Sequence, residues 1–140
     1  MALLTLEYCE IVTNEEQSPL TFKGGETVSD RRGKFMRLDP TTGKAMLGNA
    51  SSTAEYGNVH GIAISDQKYL GDSVTFFRVG LLDWGTALDG MSYDDPIYVS
   101  DTDGTFADAA GTVTTAIAGY VVSRFTSDGT AHKLAAIDLR

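Results

Sequence analysis

The 140-residue sequence has a single cysteine, Cys9, so no intrachain disulfide can form. That excludes the small secreted folds that are stapled by disulfides. There are two histidines, His60 and His132, and no sequence signature of a common catalytic or nucleotide-binding site. Gly-x-Ser-x-Gly, His-Glu-x-x-His, the P-loop and the dinucleotide fingerprint are all missing. No basic-then-apolar leader follows Met1, and no apolar run reaches spanning length. Neither a signal peptide nor a membrane partner is therefore expected. No segment keeps a 3.6-residue apolar period over ten residues, so little helix is expected. Lysine and arginine are missing between Asp83 and Asp108, a stretch that holds seven aspartates.

What is present suits one β-rich domain. A chain of this length buries about two-thirds of its unfolded surface and needs neither disulfides nor metals for a core. Hydrophobic residues make up 42% of the sequence, and its 15 glycines imply many turns. The net charge is −8, with basic residues concentrated at Arg31, Arg32, Lys34 and Arg37. An acidic chain disfavours general nucleic-acid binding, because phosphate contacts need a positive surface.

The most regular stretch is Gly61-Ile62-Ala63-Ile64-Ser65-Asp66, followed by Gly71-Asp72-Ser73-Val74-Thr75-Phe76. Period-two alternation puts Ile62 and Ile64 on one face of a first strand. Val74 and Phe76 share a face of a second, with Ser73, Thr75 and Phe77 opposite. Gly71-Asp72 is turn chemistry. Gly119-Tyr120-Val121-Val122-Ser123 repeats the first strand 58 positions later. A strand that runs into an Asp/Thr/Gly hairpin precedes each copy. These are Phe35 to Gly43 and Ile97 to Gly104, whose final glycines are 61 positions apart. The pattern is an internal duplication of a small β unit. Two copies are too few for a solenoid, so they are expected to close on each other as one barrel or sandwich.

The first 33 residues read differently. Leu3 to Val12 is an apolar stretch of strand character, Asn14 to Pro19 is polar, and Leu20 to Lys23 is a brief extended piece ended by Gly24-Gly25. Residues 1–33 are read as an extended arm only partly packed on a body of residues 34–140. An arm gains order on contact with a neighbour, which offsets its entropy cost. Trp84 sits at a turn between Asp83 and Gly85, either as a core lid or as an exposed anchor. Single helical turns fit within Gly48 to Gly57 and within Thr86 to Tyr93. Ser127-Asp128-Gly129-Thr130 is a hairpin turn, and Lys133 to Leu139 is a closing strand.

Candidates for chemistry are few. Cys9 with His60 or His132 lacks a third group, and a lone cysteine is usually a small buried hydrophobe. Asp101-Thr102-Asp103-Gly104 resembles the start of a calcium loop, but its twelfth position is Thr112, where that loop needs Glu. The same residues make an ordinary turn. No cofactor, metal or catalytic residue is assigned, and the chain is expected not to be an enzyme. Arg31, Arg32 and Lys34 form a basic cluster that faces either solvent or an anionic partner. One basic and one acidic patch permit head-to-tail or ring packing.

The order of short motifs resembles a known family. It runs through Val59-His60-Gly61-Ile62-Ala63, Gly71-Asp72-Ser73-Val74, Asp95-Pro96-Ile97-Tyr98-Val99, Asp103-Gly104-Thr105-Phe106 and Ile117-Ala118-Gly119-Tyr120-Val121-Val122. This is similar to the capsid cement, or head decoration, proteins of tailed bacteriophages. The resemblance covers roughly residues 34–140; the first 33 fall outside it, and Asp94-Asp95-Pro96 lacks the family's glycine. It implies an all-β fold, a small β-barrel or β-tulip-like sandwich. It also implies a structural role on the outer surface of the phage head, bridging major capsid protein subunits in a protein made in the host cytoplasm. Self-association is expected, as a trimer ahead of a dimer. Leu3, Leu4, Leu6, Tyr8, Arg31, Arg32, Leu81, Leu82 and Trp84 are the candidate contacts with capsid or sister subunits. Two other classes compete: a carbohydrate-binding or adhesion module on a virion surface, and a small hydrolase that uses aspartates or Cys9.

Overall fold

The computed structural model describes residues 2–6, 9–14, 20–25, 32–64 and 72–140. Along them run the strands β1 Glu10–Asn14, β2 Leu20–Lys23, β3 Phe35–Leu38, β4 Ala45–Leu47, β5 His60–Ala63 and β6 Ser73–Phe77. The remainder are β7 Val79–Asp83, β8 Pro96–Val99, β9 Phe106–Ala107, β10 Ile117–Phe125 and β11 Ala131–Asp138. Among the described residues, helix is confined to α1 Thr53–Tyr56 and a 3-10 turn at Gly85–Leu88. Ser52 caps α1 by accepting a hydrogen bond from the Glu55 N–H (3.2 Å). The expected all-β architecture is present as two antiparallel sheets. The six-stranded sheet has the order β1-β7-β11-β10-β8-β9, and the five-stranded sheet has the order β2-β6-β5-β3-β4.

The repeated motifs occupy matching places. Order β4-β3-β5-β6 in one sheet corresponds to β9-β8-β10-β11 in the other. Met36 pairs with Gly61 across β3 and β5, and Ile97 pairs with Gly119 across β8 and β10. The two hairpin glycines adopt nearly the same left-handed backbone, φ 69° at Gly43 and 70° at Gly104. The two strand glycines meet the fourth strand of their own unit closely. A Cβ on Gly61 would lie 2.7 Å from the Phe76 Cβ of β6, and one on Gly119 would lie 2.0 Å from the Ala136 carbonyl oxygen of β11. The turn at residues 65–71 lies outside the described residues.

Alternation distributes the apolar side chains. In β3, β5 and β6, the neighbours Phe35/Met36, Ile62/Ala63 and Phe77/Phe76 point to opposite faces and into different clusters. The larger cluster is shared by both sheets and includes Phe35, Ile62, Phe77, Leu82, Trp84, Ile97, Phe106 and Val121. The smaller one, on the other face of the five-stranded sheet, gathers Met36, Ala45, Ala63, Val74 and Phe76 with Leu20, Phe22 and Leu47. A sheet apolar on both faces has no face to leave in water. Its outer strands approach one another at a single point. Gly24 forms a parallel bridge to Ala45, and the Gly25 N–H donates to the Ala45 carbonyl (2.9 Å). One bridge is not a ladder, so this contact does not amount to a closed barrel.

Among the described residues of the first 33, two strands join the sheets. β1 extends the six-stranded sheet by pairing with β7, and β2 extends the five-stranded sheet by pairing with β6. The first strand falls at Glu10–Asn14, later than the apolar stretch from Leu3 suggested, and Leu3 itself makes only an isolated bridge to Ala107. Cys9 is buried, and Leu4 and Leu6 pack on the main cluster. The closing strand β11 sits between β10 and β7 and is not an edge. Residues 15–19 and 26–31 lie outside the described residues.

The close approach at Gly119 is onto backbone, which cannot rotate away. Gly119→Ala is expected to lower the free energy of unfolding by about 3 kcal/mol or more. Gly90 has open space around it, and Gly90→Ala is expected to change stability by less than about 0.5 kcal/mol, with both variants measured by urea titration.

Candidate functional site

Residues 2–4 run antiparallel along β9, an edge strand of the six-stranded sheet. The Leu4 N–H donates to the Phe106 carbonyl (2.9 Å), and the Ala2 N–H donates to Asp108 Oδ1 (3.0 Å). Opposite, Gly33 is held by its N–H on the Ala63 carbonyl (2.8 Å), and Arg32 Nε donates to the Cys9 carbonyl (2.8 Å). The Phe35 N–H bonds the Gly104 carbonyl (3.1 Å), which sets the β8–β9 turn against β3. These segments enclose a groove of about 290 Å³. Leu3, Leu4, Leu6, Arg32, Lys34 and Phe106 are among its lining residues. Leu3 is 48% exposed. The groove thus brings three leucines and two cations together, on a chain of net charge −8.

Four of the nine candidate contact residues meet here: Leu3, Leu4, Leu6 and Arg32. Tyr8 and Arg31 lie outside the described residues. Leu82 and Trp84 are fully buried (0% exposed) and present no surface to a partner. Their expected role as anchors gives way to a core role, because β7 turns them inward between the sheets. Leu81, their neighbour, faces the other way in a cross-strand row with Ala136, Tyr120 and Pro96. Lys34, Thr105 and Phe106 also line the groove. Lys34 was legible only as part of a basic cluster, and Phe106 only as the residue after a turn.

The remaining chemistry-bearing residues have structural partners. Burial pushes the Cys9 thiol above its ordinary pKa, against the Trp84 indole N–H and the Arg32 charge, which pull it down. The Trp84 N–H faces this sulfur without a hydrogen bond of ordinary geometry. Asp101 accepts the Thr112 N–H (2.9 Å) and hydroxyl (2.8 Å), and Asp103 accepts from Asn49 Nδ2 (2.6 Å). These aspartates therefore brace loops. Among the described residues no cluster of three or more potential metal ligands occurs. Nor is any helix among them long and apolar enough to cross a membrane.

His60 packs against two rings. Its centroid is 4.4 Å from that of Tyr56 and 5.5 Å from that of Phe35, and its Nδ1 is 2.9 Å from the Gly57 carbonyl. Burial pushes the imidazole below its ordinary pKa, outweighing the Gly57 and Leu139 carbonyls, which favour the charged form.

Comparison with known proteins gives no matching protein family, no matching curated protein and no matching solved structure.

The lowered His60 pKa has a definite sign in stability. Below the unfolded value of about 6.5, the unfolded chain binds the proton more readily than the folded chain, so stability falls with pH. The loss continues until pH reaches the folded value. Urea midpoints are expected to drop from pH 7.5 to pH 5, and His60→Gln is expected to flatten that drop. An unchanged drop in the variant would remove His60 from the account.

Proposed function

We propose that this chain is a structural virion protein. It decorates the outer surface of a tailed-bacteriophage head and bridges major capsid protein subunits, with sister copies beside it. The observation that supports this most is the groove, which unites Leu3, Leu4, Leu6 and Arg32 from two distant stretches of sequence. The matching strand orders of the two sheets also suit the resemblance, since they put its motifs on equivalent strands. The near-joining of the five-stranded sheet at Gly24 and Ala45 fits the β-tulip-like architecture that the resemblance implies.

In this mechanism the sandwich is a rigid wedge, and the groove receives an extended segment of a capsid subunit. Leucine side chains on that segment's apolar residues supply contact area, while Arg32 and Lys34 meet an acidic group at the rim. A shell presents many equivalent sites, so modest single-site affinity gives firm attachment where one copy spans two subunits. Removing the whole N-terminal stretch is a poor test, because β1 and Cys9 belong to the fold. Point changes on the groove leave both sheets intact.

The test is sedimentation of the purified protein with expanded heads that lack it. Wild-type chain is expected to pellet with heads. Leu3→Asp and the pair Arg32→Glu/Lys34→Glu are each expected to weaken binding at least about tenfold, which corresponds to about 1.4 kcal/mol. Far-ultraviolet circular dichroism should be unchanged. Wild-type chain that stays in solution contradicts the function; variants that pellet like wild type contradict the groove.

A further inference from the structure

A second groove lies elsewhere on the molecule and shares no lining residue with the first. β11 pairs with β7 only from Ala135 onward, so its first residues run beside the β7–β8 loop without a ladder. The space between them is about 350 Å³ and is lined by Asp83, Thr86, Asp89, Tyr93, His132 and Lys133 among others.

The chemistry of this lining is selective. Tyr93 is 46% exposed, an aromatic body with a polar tip. The Lys133 ammonium lies 5.5 Å from its ring centroid and donates to the Asp89 (3.3 Å) and Met91 carbonyls. That cation therefore steadies the loop and the ring. Asp83 accepts the Gly85 N–H through Oδ1 (2.8 Å), which fixes its carboxylate at the mouth of the 3-10 turn. Asp89, Thr86 and His132 are exposed. A carboxylate accepts hydrogen bonds only, while hydroxyl and imidazole groups both donate and accept.

We propose that this groove binds a neutral saccharide. A pyranose has an apolar C–H face that fits against the Tyr93 ring and a rim of hydroxyls that donate to Asp83 and Asp89. The groove's size and its mix of one aromatic with a few convergent polar groups are those of a small-ligand site. Two carboxylates against one committed ammonium disfavour sulfated, phosphorylated or sialylated sugars. This inference does not rest on head decoration and stands or falls separately.

The test is saturation-transfer NMR of the full chain with glucose, galactose, mannose and N-acetylglucosamine, followed by an array of neutral and acidic glycans. Binding of at least one neutral sugar is expected. Tyr93→Ala and Asp89→Asn are each expected to weaken it at least about tenfold, while Tyr93→Phe retains it and Lys34→Glu in the other groove leaves it unchanged. Binding to no neutral glycan, binding to acidic glycans alone, or binding that survives both Tyr93→Ala and Asp89→Asn would overturn the proposal.

Discussion

The structure depends on a run of aromatic contacts across the two sheets. Trp84, just past β7, lies against Phe106 of β9 with centroids 4.9 Å apart. Phe106 meets Phe35 of β3 edge-on at 6.2 Å, and Phe35 stacks on Tyr56 at 5.4 Å. Phe35 belongs to one sheet and Phe106 to the other, so these rings hold the sandwich together. Trp84, Phe106 and Phe35 are all fully buried. At about 25 cal/mol per Å² each ring contributes several kcal/mol as an upper figure. The backbone follows the rings: Gly48 donates to the Phe35 carbonyl (3.0 Å), and Gly104 donates to the Gly48 carbonyl (2.8 Å). The turn of one β unit is thereby locked into the hairpin of the other.

That lock also shapes the surface. With Phe106 held between the sheets, Ala2 and Leu4 hydrogen-bond along its strand, and Arg32 and Gly33 are held by the Cys9 and Ala63 carbonyls. The groove lined by Leu3, Leu4, Leu6 and Arg32 is a by-product of how the core ends. Leu4 and Leu6 in its lining are already packed on the core, and under the proposed function that preorganisation leaves little ordering entropy to be lost on binding.

Much of the fold was legible because the signals were local. Gly43 and Gly104, Gly61 and Gly119, and the hairpin at Ser127 to Thr130 each carry their conformation in residue type and spacing. The strands β3, β5, β6, β8 and β10 followed from alternation. What was not legible was long-range. Nothing local in Glu10–Asn14 says that it pairs with a strand some seventy residues later. Trp84 presented two fates until the register of β7 turned it inward. The groove joins residues 3–6, 32–34 and 104–106, and no spacing rule links them. Leu3, Leu4, Leu6 and Arg32 were legible as contact candidates, but their proximity was not.

The function proposed above is one in which two packed β-sheets act through their surfaces. The proposed head-decoration role is measured most directly by quantitative mass spectrometry of purified tailed-phage virions produced from a genome that carries this sequence, with intact heads treated by a protease that cannot enter them. The account predicts a fixed, simple copy ratio of this chain to the major capsid protein, and cleavage of the chain from outside. Absence of the chain from the virions, or a protected position inside the head, would contradict it.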